Sequence, residues 1–175
     1  MYWGLVRSLI ILPGTALVLI PTVILVGSKN WKCPPQLASP TELWFWFALL
    51  SAGIGFTLIS WSIALFMRVG KGTPAPWEPP KKLVIRGPYR HVRNPMITGA
   101  LFMLLAEAML FHSWPIAIWM AVFFFLNTVY FQFSEEKGLE KRFGDDYRVY
   151  KAHVPRWIPR LRAWIQEDDD ETWNS

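Results

Sequence analysis

Long uncharged apolar runs alternate with short polar breaks along this chain, and the run lengths predict helices. The first run, 5–26, has no charge after Arg7. At about 22 residues it is long enough to cross the ~30 Å hydrocarbon layer of a membrane. It is too long for a signal-peptide core and shows no small-residue cleavage pattern, so it reads as a first spanning helix. Pro13 and Pro21 predict kinks, which membrane helices tolerate when neighbours satisfy the freed carbonyls. A polar loop with Gly27, Ser28, Lys29, Asn30, Pro34, Pro35 and Pro40 follows. The second run, 43–67, opens on Trp44 and Trp46 and carries Trp61 near its end, rings suited to the two edges of a bilayer. Gly53 and Gly55 predict close approach of another helix. The third run is 95–111, with Asn94 as N-cap and Pro95 at the first helical position. After a tight turn, His112, Ser113, Trp114 and Pro115, the fourth run covers 116–133, which predicts an antiparallel helical hairpin.

Two polar blocks interrupt this pattern. The loop 68–94 begins rich in Gly and Pro and should be irregular. It ends in residues 83–99, LVIRGPYRHVRNPMITG, where Arg86, Arg90, His91 and Arg93 run directly into the third span. The second block occupies 135–160. Leu139, Phe143, Tyr147, Tyr150 and Val154 recur there every three or four residues, predicting an amphipathic helix broken at Gly144, with Asp145 capping its second piece. Such a helix should lie against the membrane surface or the bundle ends. Residues 160–164 suit another interfacial turn. The last residues, 166–175, contain EDDDE and read as a disordered acidic tail.

Composition strengthens the membrane reading. Hydrophobic residues make up 53% of the chain and charged residues 18%, with eleven Trp and twelve Phe. The net charge of +5 raises the question of nucleic acid, but its distribution fits basic residues bordering membrane helices. With four spans, Arg7, the loop 68–94 and eight Lys or Arg after Phe133 share one side, and only Lys29 and Lys32 fall on the other. That bias predicts both termini and both polar blocks in the cytoplasm. The expectation is therefore one all-α integral membrane domain, 1–165, of about four transmembrane helices with a cytoplasmic amphipathic C-terminal region. Cys33, the single cysteine, excludes an internal disulfide and a cysteine zinc cluster.

Several chemistries drop out. There is no glycine-rich phosphate fingerprint, no serine elbow, and His91, His112 and His153 are too scattered for a local zinc motif; no metal site is expected. A cationic loop facing an acidic, aromatic helix suits a small zwitterionic ligand. Arginines and a helix N-terminus favour a carboxylate or phosphate. Paired carboxylates accept from ribose hydroxyls or an amino group, and aromatic rings hold an adenine or a sulfonium.

The order GPYR-x-x-R-N-P, Gly99, then EE-x-x-L-x-x-x-F-G-x-x-Y-x-x-Y-x-x-x-V-P resembles the isoprenylcysteine carboxyl methyltransferase and phospholipid methyltransferase superfamily, over 83–160. The first two spans match only by being apolar. The resemblance implies S-adenosylmethionine as cofactor, S-adenosylhomocysteine as product, and a lipid-like or small apolar acceptor at the cytoplasmic face: an isoprenylcysteine carboxylate, a phospholipid amine or a thiol. By position it assigns Arg93, Asn94, Pro95, Gly99, Glu135, Glu136, Tyr147 and Tyr150 to the cofactor site, with Arg90 from the same loop. Asn94 stands where many members have His, and Ile97 where a Tyr is usual. Arg156, in VPRWIP, is the candidate to orient an acceptor carboxylate or phosphate. Glu107, an isolated charge in the third span, should face the bundle interior or a cavity, lining an acceptor site or pairing with a neighbour. The bland readings are lipid-headgroup anchoring for Arg86 and Arg90, helix capping for Asn94-Pro95, and packing for the tyrosines. Expected partners are membrane lipids and a lipophilic acceptor. Two other classes stay open: a non-catalytic membrane scaffold of the same fold, and an NADPH-dependent enzyme like the sterol reductases, whose C-terminal architecture is related.

Overall fold

The computed structural model describes residues 10–30, 35–70 and 82–165. The start of the first expected span, Cys33, the stretch 71–81 and the acidic tail 166–175 lie outside them. The described residues form helices and contain no strand. A π-helical stretch, Ile10–Leu19, tightens into α1, Ile20–Gly27. Pro21 falls in the first turn of α1, where a missing N–H breaks no intrahelical bond. The second helix, α2, is Leu43–Leu65, extended by a wide turn Phe66–Gly70. A single 3-10 turn, Gly87–Arg90, precedes α3, Pro95–Leu110. The fourth helix, α4, is Trp114–Tyr130. It starts before the expected Ile116 because Pro115 fits a first helical turn. Nor does it stop at Phe133: a wide turn, Phe131–Glu135, carries it straight into α5, Glu136–His153. The first part of the second polar block, up to Gly144, therefore continues the fourth helix.

Packing centres on α3, which lies along α2 on one side and meets α4 and the π-helical stretch on others. Two glycines make the α2–α3 crossing close. A Cβ on Gly55 would stand 2.7 Å from the Gly99 carbonyl oxygen, and one on Gly99 would stand 2.8 Å from that of Gly55. The Ser51 hydroxyl adds a bond to the Phe102 carbonyl at 2.7 Å. Neither backbone can yield without separating the helices. Gly99→Ala is therefore expected to cost about 1–3 kcal/mol, the usual penalty of overpacking, read as a lower melting temperature of the detergent-purified protein. An unchanged melting temperature would show that the crossing is loose.

The helices run alternately up and down. At one end, the backbone N–H groups of Gln36 and Ala38 bond the carbonyls of Phe111 and Leu110 at 3.1 and 2.7 Å, and His112 Nε2 meets Glu42 at 3.2 Å. The α1–α2 loop is thereby pinned to the α3–α4 turn. Both polar blocks consequently gather at the opposite end. Two helical runs, Leu43–Gly70 and Trp114–His153, contain stretches long and apolar enough to cross a membrane, and only 17% and 11% of those stretches is buried. Helices at the core of a water-soluble domain would be mostly covered. Here Phe47, Leu50, Phe56, Phe125 and Leu126 lie exposed, an outer surface suited to lipid.

Candidate functional site

The site grows from one carboxylate. Glu136, the first residue of α5, is buried. Its Oε1 accepts from Arg93 Nη1 at 2.9 Å and from Arg156 Nε and Nη2 at 2.8 Å each. Its Oε2 pairs with Lys151 Nζ at 3.0 Å, and Lys151 also reaches Glu140 at 2.9 Å. Burial alone would raise the Glu136 carboxyl; the bonds from Arg156 and Lys151 and the Arg93 charge outweigh it and hold the group below its ordinary range. The bond to Glu140, and then that to Glu136, raises Lys151, so both partners stay charged.

Chain geometry alone would not bring these groups together. On a straight helix Glu136 and Lys151 would stand about 22 Å apart, at 1.5 Å rise per residue. Gly144 reverses the path: its φ of 54° and ψ of −128° are not helical. The second half of α5 folds back, so Lys151 meets Glu136 and Glu140. Asp145, expected to cap this second piece, instead binds Arg148 at 3.0 Å in solvent. Tyr147, Tyr150 and Val154 form the buried side of the returning half, packed by Leu83, Ile85, Leu139, Phe143 and Trp164. The Tyr150 hydroxyl donates to the Tyr89 carbonyl at 2.8 Å, tying α5 to the 87–90 turn. Burial raises both phenols, which stay neutral.

The remaining expected residues divide by what their polar atoms do. Asn94 occupies the N-cap position of α3 without a side-chain cap; the expected capping bond is absent, and only its carbonyl is used, by Thr98. Pro95 is fully buried and fixes the helix start. Gly99 faces Gly55, so its smallness serves helix packing. Arg90 Nε donates to the Ile85 carbonyl at 3.3 Å. Glu107 lies twelve residues past Pro95, about 18 Å along α3, with Oε2 buried and without a hydrogen-bond partner. The structure thus separates Glu107 from Arg156, and the two candidate catalytic residues do not share a site. Lys151 carries a central contact yet had no sequence signal, because its partners are adjacent only after the Gly144 reversal.

Three polar groups near the cluster are left unspent. Arg93 Nε is buried without an acceptor. No described residue bonds the Asn94 amide or pairs with Glu135. Burial, then the Glu136 charge, pushes Glu135 up to about 7. A carboxyl raised in the folded state stabilises the protein most below its unfolded value of 4.5, and that contribution is lost as pH rises through about 7. Glu135→Gln should therefore melt higher than the parent at pH 8 and match it at pH 4. Equal melting at both pH values would put Glu135 in open solvent. Among the described residues, no three His, Cys, Asp or Glu gather where a metal ion could sit.

A helical bundle with a lipid-suited surface and a charged cluster at one end defines a membrane-protein class, and comparison narrows it. The model of the phospholipid methyltransferase family matches residues 43–146, more than half of the chain, and the protein belongs to that family. It is a membrane methyltransferase by that membership. The match begins at α2, whose sequence had looked merely apolar, and ends before Tyr147, so Tyr150, Lys151 and Arg156 lie beyond it. No curated protein and no solved structure matches the chain.

Proposed function

We propose that the chain transfers a methyl group from S-adenosylmethionine to a lipid-like or small apolar acceptor at the cytoplasmic face of a membrane that its four apolar helical segments cross. The observation that carries this reading is the set of unspent groups beside Glu136. A buried Arg93 Nε and the Asn94 amide suit a carboxylate, and the unpaired Glu135 suits an amino group or ribose hydroxyls. Those are the polar ends of S-adenosylmethionine, so the residues present fit the cofactor.

When bound, the cofactor supplies an already activated methyl group on a sulfonium. The chain must then provide position and dryness more than a nucleophile, in keeping with a site that has no catalytic triad. In this reading Arg93 and Asn94 hold the cofactor carboxylate and Glu135 its amino group or ribose. Glu136 fixes Arg93 and Arg156 in place. Arg156 orients the acceptor's carboxylate or phosphate, and the apolar helix surfaces admit the acceptor's hydrophobic part from the bilayer. The basic residues at this end support a cytoplasmic orientation.

Titration calorimetry on the detergent-purified protein should show binding of S-adenosylmethionine and S-adenosylhomocysteine, weakened at least tenfold (about 1.4 kcal/mol) in Arg93→Ala and in Glu135→Ala. Absence of binding to the parent protein sinks the cofactor reading and leaves the scaffold reading standing. Normal binding by both variants sinks the residue roles alone. Mass spectrometry of lipid extracts incubated with a labelled methyl donor identifies the acceptor.

A further inference from the structure

The segment after α5 carries a surface that the site does not use. It crosses the 90–93 loop as a strap. The Arg93 N–H bonds the Pro155 carbonyl at 2.9 Å, the Arg160 N–H bonds the His91 carbonyl at 2.9 Å, and the Trp164 N–H bonds the Arg90 carbonyl at 3.0 Å. His91 Nδ1 lies 2.7 Å from the Arg160 carbonyl. Trp164 stacks on His153, ring centroids 5.3 Å apart. Backbone bonds and rings therefore fix the strap's inner side. Its outer side holds Ile158, Leu161 and Ile165, which are 79%, 101% and 53% exposed, with the exposed Arg162 among them, while Arg160 turns inward and donates from Nη1 to the His153 carbonyl.

The strap's height along the bundle tells what meets that outer side. Trp157 packs between Phe124 and Phe131 of the α4 run, centroids 5.0 and 6.2 Å away. It is docked where the lipid-suited surface of α4, with Phe125, Val129 and Phe133 exposed, gives way to the charged cluster. Apolar side chains at that level continue the outer surface of α4, and the exposed Arg162 among them matches an anionic headgroup layer.

We propose that residues 157–165 form an interfacial anchor whose Ile158, Leu161 and Ile165 enter the lipid leaflet while Arg162 engages anionic headgroups. The same strap carries Arg156 and holds the Arg93 backbone, so contact with the leaflet steadies both guanidiniums on Glu136. This inference rests on the membrane reading above but not on the cofactor or the acceptor.

The test uses the full chain in lipid nanodiscs. In a Cys33→Ser background, Ile158→Cys, Leu161→Cys and, on exposed α5, Asp146→Cys are each labelled with a fluorophore and quenched by doxyl groups placed near the lipid headgroup. Labels at 158 and 161 should be quenched several-fold more than the label at 146. Adding phosphatidylglycerol to a phosphatidylcholine disc should deepen quenching at 161, and Arg162→Ala should reverse about fivefold of that preference, the effect of one basic residue at an anionic surface. Quenching at 158 and 161 no greater than at 146 overturns the anchor. Quenching that ignores phosphatidylglycerol overturns the anionic preference. Calorimetry on the same labelled proteins keeps the outcome separate from the cofactor reading, because quenching is expected whether or not S-adenosylmethionine binds.

Discussion

Glu136→Ala is expected to cost about 3–5 kcal/mol of folding stability, the typical penalty for removing one partner of a buried ion pair. Here a single carboxylate compensates Arg93, Arg156 and Lys151, and its loss leaves cations facing one another in a half-buried cluster. Glu136→Gln keeps the shape but not the charge, and should lose most of the same stability. Incorporation of labelled methyl should vanish in both, since neither arginine keeps its position. Glu140→Ala is the control: it removes only one of the two carboxylates on Lys151 and should cost no more than about 1 kcal/mol, as exposed pairs do. The pH dependence follows from the lowered Glu136 carboxyl. Its contribution is present above the ordinary carboxylate range and is lost as pH falls through its lowered folded value. A melting curve in which Glu136→Ala and Glu140→Ala behave alike would remove Glu136 from the centre of the site.

Gly144→Val should be nearly as damaging, although no atom lies within 4 Å of where its Cβ would be. The cost is conformational. A φ of 54° with ψ of −128° is open to glycine and strained for an L side chain, and β-branching makes it worse, at roughly 1–3 kcal/mol. Relaxing that strain straightens α5, which draws Lys151 off Glu136 and unseats Tyr147 and Tyr150. Loss of methyl transfer and of cofactor affinity should therefore exceed what the drop in melting temperature alone explains. Gly138→Val, with equally open space but helical backbone, should be neutral or slightly stabilising, because valine is a somewhat better helix former than glycine. If the two variants melt alike, the reversal at Gly144 is not the native path.

How much of this was legible in the sequence varies by element. Among the described residues the apolar runs gave the helices within a few residues, because run length and proline position act locally. The start of α3 at Pro95 and the break at Gly144 were visible for the same reason. At the junction of α4 and α5 the drop in hydropathy at Ser134 marks where the apolar surface ends, and only the structure shows the backbone hydrogen bonds running on through Phe131–Glu135. Asn94 and Asp145 have good capping side chains, yet neither caps: the Asn94 backbone, at φ −122° and ψ 59°, lies outside the extended range usual for an N-cap, and Asp145 is taken by Arg148. Gly99 sat inside a motif that suggested ligand contact, and only the approach of Gly55 shows the packing it permits.

By itself the sequence determined that this is a helical chain with a lipid-suited surface, two polar blocks, and the residue order of a methyltransferase family. It did so because hydrophobic periodicity and motif spacing are properties of neighbours along the chain. Tertiary structure decided which charges meet. It gave Glu136 three cations, left Glu135, Asn94 and Arg93 Nε unspent, and set Glu107 about 18 Å down α3. Those outcomes depend on the helix reversal at Gly144 and the close crossing at Gly55 and Gly99, which bring together residues far apart in sequence, and pairing energies across such distances leave no periodic trace in the chain.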